Sequence, residues 1–180
     1  MTVAVPHNIM ERRAAISLRA EGRRLEGIAA PFDSPTTIGD FSEVIKPGAF
    51  RRSLLAGRDI LALADHDPSR VLGRTRSGTL RLAETSAGLA FSLDLPETQT
   101  GRDLLALAER GDLGGMSFGF NVTDEAWPSA TMRELREVEL VEISVVQAFP
   151  AYSATSVNAR SRSNAAASLR LRRLFMETVR

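Results

Sequence analysis

The chain has 180 residues, a net charge of +1 and 43% apolar residues, which suits one domain with a sizeable core rather than a disordered segment. With no cysteine and only two histidines, His7 and His66, it offers no disulfide, no thiol nucleophile and no ordinary zinc site, and its near-neutral balance argues against general nucleic-acid binding. No stretch approaches the roughly 20 apolar residues of a membrane-spanning helix, and Pro6, His7 and Asn8 stand where a signal peptide would need an apolar core.

Residues 1–13 read as an irregular, flexible lead-in, and Ile16 to Ala20 alternates as a first strand would. Arg24 to Phe32 reads as a second strand, ended by the turn-forming Asp33-Ser34-Pro35. Pro47-Gly48-Ala49-Phe50 opens a short helix through Leu55, since proline is tolerated in a first helical turn. Ile60 to Ala64 reads as a buried strand. Val71–Thr75, Thr79–Leu82 and Leu89–Leu95 follow as short strands at regular spacing, the pattern of a barrel or a sandwich.

Thr100 to Gly111 changes to helical period, with Leu104, Leu107 and Ala108 on one face and Gly111 as a C-terminal stop. The chain then enters a strand carrying Ser117, crosses a polar loop from Asp124 to Met132 that holds Trp127-Pro128, and ends its core in a long strand over 133–149. Ser153 to Ala167, rich in Ser, Ala and Asn, reads as a linker, and Leu171, Leu174, Phe175 and Thr178 recur at helical spacing beyond it. From Arg160 to Arg180 six arginines face one acid, Glu177; that segment carries +5 and leaves −4 on the rest.

Three segments carry chemistry. In Gly111–Phe120, strand alternation sends Met116, Phe118, Phe120 and Val122 to a core and Ser117, Gly119 and Asn121 to the other face, with little bulk around the hydroxyl. A hydroxyl held on a strand with open space beside it suits a nucleophile, provided that a base lies near. His66, at the end of the Ile60–Ala64 run, is the one imidazole outside the lead-in. An imidazole, with an unperturbed pKa of about 6.5 in model peptides, suits proton transfer near neutrality. Val138–Val146 is strongly β-prone yet sets Glu142 in its apolar middle, and a buried carboxylate needs a partner. Serine, histidine and glutamate on separate strand-like segments fit triad logic. Spacings of 51 residues from His66 to Ser117 and 25 on to Glu142 require a fold that lays those segments together.

Competing readings are weaker. Asp65 and Asp67 flank the base, as a turn leading into Pro68 would place them. A metal at Asp65-His66-Asp67 lacks enough converging ligands. Glu139 could replace Glu142, but alternation counted along the strand puts it on the opposite face. Gly115-Met116-Ser117-Phe118-Gly119 matches an esterase elbow literally, but there the histidine follows the serine, and here it precedes it.

The block Phe41-Ser42-Glu43-Val44-Ile45-Lys46-Pro47-Gly48-Ala49-Phe50-Arg51-Arg52-Ser53-Leu54 resembles that of the prohead maturation proteases of HK97-type tailed phages, also found in gene transfer agents. Asp65-His66-Asp67, Val71–Thr75, Gly115–Phe120 and Glu142–Val146 follow in that family's order, as do Pro150-Ala151-Tyr152 and Thr155. Gln147-Ala148-Phe149 departs from the Thr or Asn and small residues usual there.

The resemblance implies a mainly β, α+β fold: a small β-barrel flanked by helices, similar to the herpesvirus assemblins. It implies a serine endopeptidase with His66, Ser117 and Glu142 as its triad, and no cofactor. It implies as substrates the scaffold segment of the major capsid protein and the chain itself, cut inside a prohead in the host cytoplasm; a homodimer stays open. Arg160 would match an arginine-bearing loop of the assemblins, though a linker arginine is the simpler reading. The implied division is a lead-in over 1–13, a protease domain over 14–160, and a linker with a basic amphipathic helix over 161–180, read as a targeting element removed by self-cleavage. The alternative is a non-enzymatic capsid-assembly or scaffold module that keeps the fold.

Overall fold

The computed structural model describes residues 10–15 and 18–148. His7, the Pro150-Ala151-Tyr152 and Thr155 block, Arg160, the linker and the basic helix lie outside the described residues.

In chain order the elements are β1 (Glu11–Ala15), β2 (Leu18–Glu21), β3 (Arg24–Pro31), β4 (Thr36–Ile38), β5 (Phe41–Ile45), α1 (Arg51–Leu55), β6 (Leu61–Ala64), β7 (Asp67–Arg74), β8 (Leu80–Thr85), β9 (Gly88–Asp94), α2 (Gln99–Arg110), β10 (Gly115–Ser129) and β11 (Met132–Val146). A strand therefore begins at Glu11, inside the stretch expected to be irregular, and β2 takes in Leu18 to Ala20 of the strand expected from Ile16, a residue outside the described ones.

The strands form two sheets. The larger runs β1-β10-β11-β5-β4; β6 pairs with the far half of β11, and β7 pairs with β6. The smaller runs β2-β3-β9-β8. Among the described residues the sheets do not close into the expected barrel. Alternation in the sequence tells which face of a strand is buried, but says nothing about which edges meet.

The two sheets share one core. Met116, Phe118, Phe120, Leu135, Leu140, Ile143 and Val145 from β10 and β11 meet Leu25, Leu89, Phe91 and Leu93 from β3 and β9, with Phe50 and Leu104 joining from the helical side. Phe118 stacks on Phe120 at 5.2 Å and meets Phe50 edge-on at 5.8 Å. Each such ring removed from water contributes about 1.5–3 kcal/mol, so this aromatic seam holds β10 against the rest.

Two expected elements differ. The helix expected from Pro47 starts only at Arg51, because Gly48 takes φ +94°, outside the right-handed helical region. The expected polar loop over Asp124–Met132 is instead the end of a long hairpin, with Ser129 opposite Met132. Out there the strands have little buried surface, so no apolar alternation marks them; Trp127 lies edge-on to Phe41 at 5.1 Å. α2 agrees with expectation. Thr98 caps it by accepting the Gly101 amide, and Gly111 closes it at φ +76°. No helix among the described residues is long and apolar enough to cross a membrane.

Candidate active site

The site begins with the β10–β11 pair. Ser117 stands opposite Ser144 and Gly119 opposite Glu142, so these four residues share the face turned away from the aromatic seam. Ser117 and Glu142 are diagonal neighbours, a relation that sets such residues about 7–8 Å apart. The register then slips: Phe120 faces Leu140, and Val141 is left without a partner. This bulge lets Leu140 and Ile143, three residues apart, both reach the core.

The bulge also corrects the parity assigned to Glu139. Across it, Glu139 comes to the same face as Glu142, opposite Asn121. The two carboxylates are separated instead by their partners. Glu139 ion-pairs with Arg58 and accepts the Asn121 amide at 3.4 Å. Glu142 is buried, at 4% exposure, and turns to His66.

His66 reaches Glu142 because β6 runs parallel to β11, with Glu142 beside Leu61 and Val145 beside Ala64. At the end of β6 the chain reverses through Asp65 and His66 into β7, with Ala64 facing Asp67. Both turn residues have positive φ, +51° and +61°, as a type I′ hairpin turn requires. Asp and His tolerate that region better than most residues. Asp65 holds the turn: its amide donates to the Val145 carbonyl at 2.9 Å, and its carboxylate accepts the Gln147 amide at 2.9 Å. Arg70 and the Gln147 side chain also bind that carboxylate. Asp67 is engaged by Ser69, whose hydroxyl and amide hold its carboxyl below the usual range. Both aspartates thus serve the turn.

His66 Nδ1 lies 2.6 Å from Glu142 Oε1, with the imidazole 21% exposed. A carboxylate oxygen can only accept, so Nδ1 carries a proton, and in the neutral ring Nε2 is then the nitrogen that keeps its lone pair. The other carboxylate oxygen, Oε2, accepts the Ser144 hydroxyl at 2.5 Å. Gly119 makes room for this carboxylate, since a Cβ there would stand 2.7 Å from Oε1. Arg12 Nε lies 3.8 Å from the same oxygen, from the half-exposed side.

Ser117 does not stand in the open space that its flanking glycines suggested. It is 3% exposed, covered by β1, which pairs with β10 so that Ala14 faces Ser117. Its hydroxyl donates to the Arg13 carbonyl at 2.7 Å. β1 is anchored by the Arg13 side chain, which donates to Glu43 at 2.6 and 2.9 Å and to Glu11 at 2.6 Å. Arg133 completes the group on Glu11, Glu43 and Glu125. Burial works to raise the Glu11 carboxyl, but hydrogen bonds from Arg133 and Arg13 outweigh it and leave the group below its usual range.

The structure therefore joins His66 directly to Glu142 and puts Ser117 on the same face, with its hydroxyl engaged elsewhere. An imidazole with one nitrogen fixed by a carboxylate and the other free is the arrangement of a general base. Ser144, Gly119 as a neighbour of Glu142, and Arg13 escaped notice in the sequence. The signal for Ser144 was present: it follows Glu142 by two residues, the spacing that puts both on one strand face. Among the described residues no three His, Asp or Glu side chains converge as metal ligands would.

No curated protein sequence matches the chain. Among solved structures it is similar to the bacteriophage T4 capsid assembly protease, gp21, with a TM-score of 0.50 and 11% identity, over 78% of this chain and 96% of that one. At that identity the likeness concerns the fold. The family described as the caudovirus prohead serine proteases matches residues 10–169, a span that takes in every element of the site. The chain belongs to the caudovirus prohead serine protease family.

Proposed function

We propose that the chain is a serine endopeptidase with Ser117 as nucleophile, His66 as general base and Glu142 as the carboxylate that orients the imidazole. The observation that carries this reading is the 2.6 Å contact between His66 Nδ1 and Glu142 Oε1, on the strand face that also bears Ser117. In the reaction the Ser117 hydroxyl turns from the Arg13 carbonyl to His66 Nε2. Oγ attacks the scissile carbonyl carbon as its proton passes to Nε2. The imidazolium, stabilised by Glu142, then protonates the leaving amine, and water hydrolyses the acyl-serine with His66 again as base.

The substrates of this reading are the scaffold segment of the major capsid protein and the chain itself, cut within the prohead. Membership in a family of prohead serine proteases supports it, as does a structural neighbour described as a capsid assembly protease. The basic segment beyond Arg160 would serve as a targeting element that self-cleavage removes.

Two measurements on the purified full chain test the proposal. A fluorophosphonate should add its mass to a peptide containing Ser117, and mass spectrometry over time should show new termini. Both signals should vanish in Ser117→Ala, with an unchanged melting transition. Cleavage that persists in that variant would remove Ser117 from the mechanism.

A further inference from the structure

We infer that Ser144 is a positioning residue of this site: its hydroxyl locks the Glu142 carboxylate in the orientation that presents Oε1 to His66. The inference rests on the Ser117-His66-Glu142 reading above and adds a fourth residue to it.

Ser144 has no exposed surface, and its hydroxyl donates to Glu142 Oε2 at 2.5 Å. That length is typical of a hydroxyl bound to an ionised acceptor, roughly twice as strong as a neutral pair. β11 supplies both groups from one face, while the intervening Ile143 and the following Val145 point to the core. An aliphatic side chain would suit a fully buried strand position better than a lone hydroxyl does, unless the hydroxyl has a partner to satisfy.

The need for a lock follows from the competitors for Oε1. His66 Nδ1 reaches it at 2.6 Å and Arg12 Nε approaches to 3.8 Å. Gly119 lies on the remaining side, where the Glu142 carboxylate takes the space that a Cβ would fill. A glycine has no side chain to fix the rotation of the carboxylate plane. The Ser144 bond fixes it, because turning the plane would leave Oε2 buried without a donor and with its desolvation uncompensated. Without it the carboxylate can swing toward the Arg12 guanidinium, and the imidazole loses the partner that sets its tautomer.

The test is a double-mutant cycle on cleavage of a peptide that spans a self-cleavage site mapped on the wild-type protein. Ser144→Ala should lower kcat about tenfold or more while KM stays within about twofold, the range seen when an outer hydrogen-bond partner of a functional group is lost. In a Glu142→Gln background the same change should cost less than about twofold, because the group it acts through is already altered. The downfield Nδ1–H proton resonance of His66 should shift or broaden in Ser144→Ala alone. Ser144→Cys, which fills the same space with a weak donor, gives the same readings if alanine fails to fold. Unchanged kcat in both variants, or a loss that adds in full to that of Glu142→Gln, overturns the inference. If Glu142→Gln is itself fully active, the triad reading fails instead, and Ser144 falls with it.

Discussion

Gly119 and Glu142 face each other across β10 and β11, and a Cβ on Gly119 would stand 2.7 Å from the Glu142 Oε1 atom that meets His66. The glycine is thus the space in which the carboxylate lies. Gly119→Ala should push Oε1 off the imidazole and lower kcat roughly 10²-fold, since about 1 Å of misplacement is enough for such a loss. The melting temperature should barely move, because the face is not part of the aromatic seam. Steady-state kinetics beside thermal melting would check it, and a fully active alanine variant would show that Glu142 has another place to go.

Glu142 and Glu139 share a face but not a partner, which allows them to be separated by experiment. Glu142→Gln should reduce kcat by roughly 10²- to 10⁴-fold, because the amide keeps the shape but loses the charge that favours imidazolium. Glu139→Gln should stay within about twofold, as it disturbs only a partly exposed pair with Arg58, of a kind worth about 0–1 kcal/mol. Reversed effects would transfer the role to Glu139.

In the proposed mechanism His66 must be neutral at Nε2 to take the Ser117 proton. Activity should therefore fall on the acid side with a slope of one proton, as the free nitrogen is protonated. The groups that face this centre are Glu142, which accepts from Nδ1, and Arg12, whose positive charge approaches Glu142 from β1. A pH–rate profile of kcat/KM measured on the folded protein checks this. A flat profile across the imidazole range would exclude His66 as the base.

Glu11 links acid stability to β1. Its carboxyl titrates lower in the folded chain, where burial opposes ionisation but Arg133 and Arg13 outweigh it. A depressed folded value means that the ionised group stabilises the fold above the unfolded-chain pKa, and that this stability is lost as pH falls through the folded one. Glu11→Gln should lower the melting temperature at neutral pH and reduce its further drop on acidification. Melting curves from neutral to acid pH measure both. An unchanged difference between neutral and acid would mean that the ion group does not hold β1.

Much of the candidate site was legible from residue type alone. One histidine outside the lead-in, one carboxylate stranded in a β-prone apolar run and one serine between glycines name their own chemistry, because each is costly or useless without a partner. Alternation likewise identified Met116, Phe118 and Phe120 as core, and all three are buried. Local signals with a direct physical reading, such as the capped helix ending at Gly111, also emerged.

What required the tertiary structure was every relation between strands. The Val141 bulge reverses the parity on which Glu139 was set aside, and one skipped residue leaves no trace in composition. The cover that β1 lays over Ser117 depends on an edge pairing held by Arg13, Glu43 and Arg133, which are 30 to 90 residues apart or more. The two open sheets depend on edges as well. Side-chain alternation is a property of one strand and can be read along it; register, bulges and edge pairing belong to pairs of strands, and long-range contacts alone decide them.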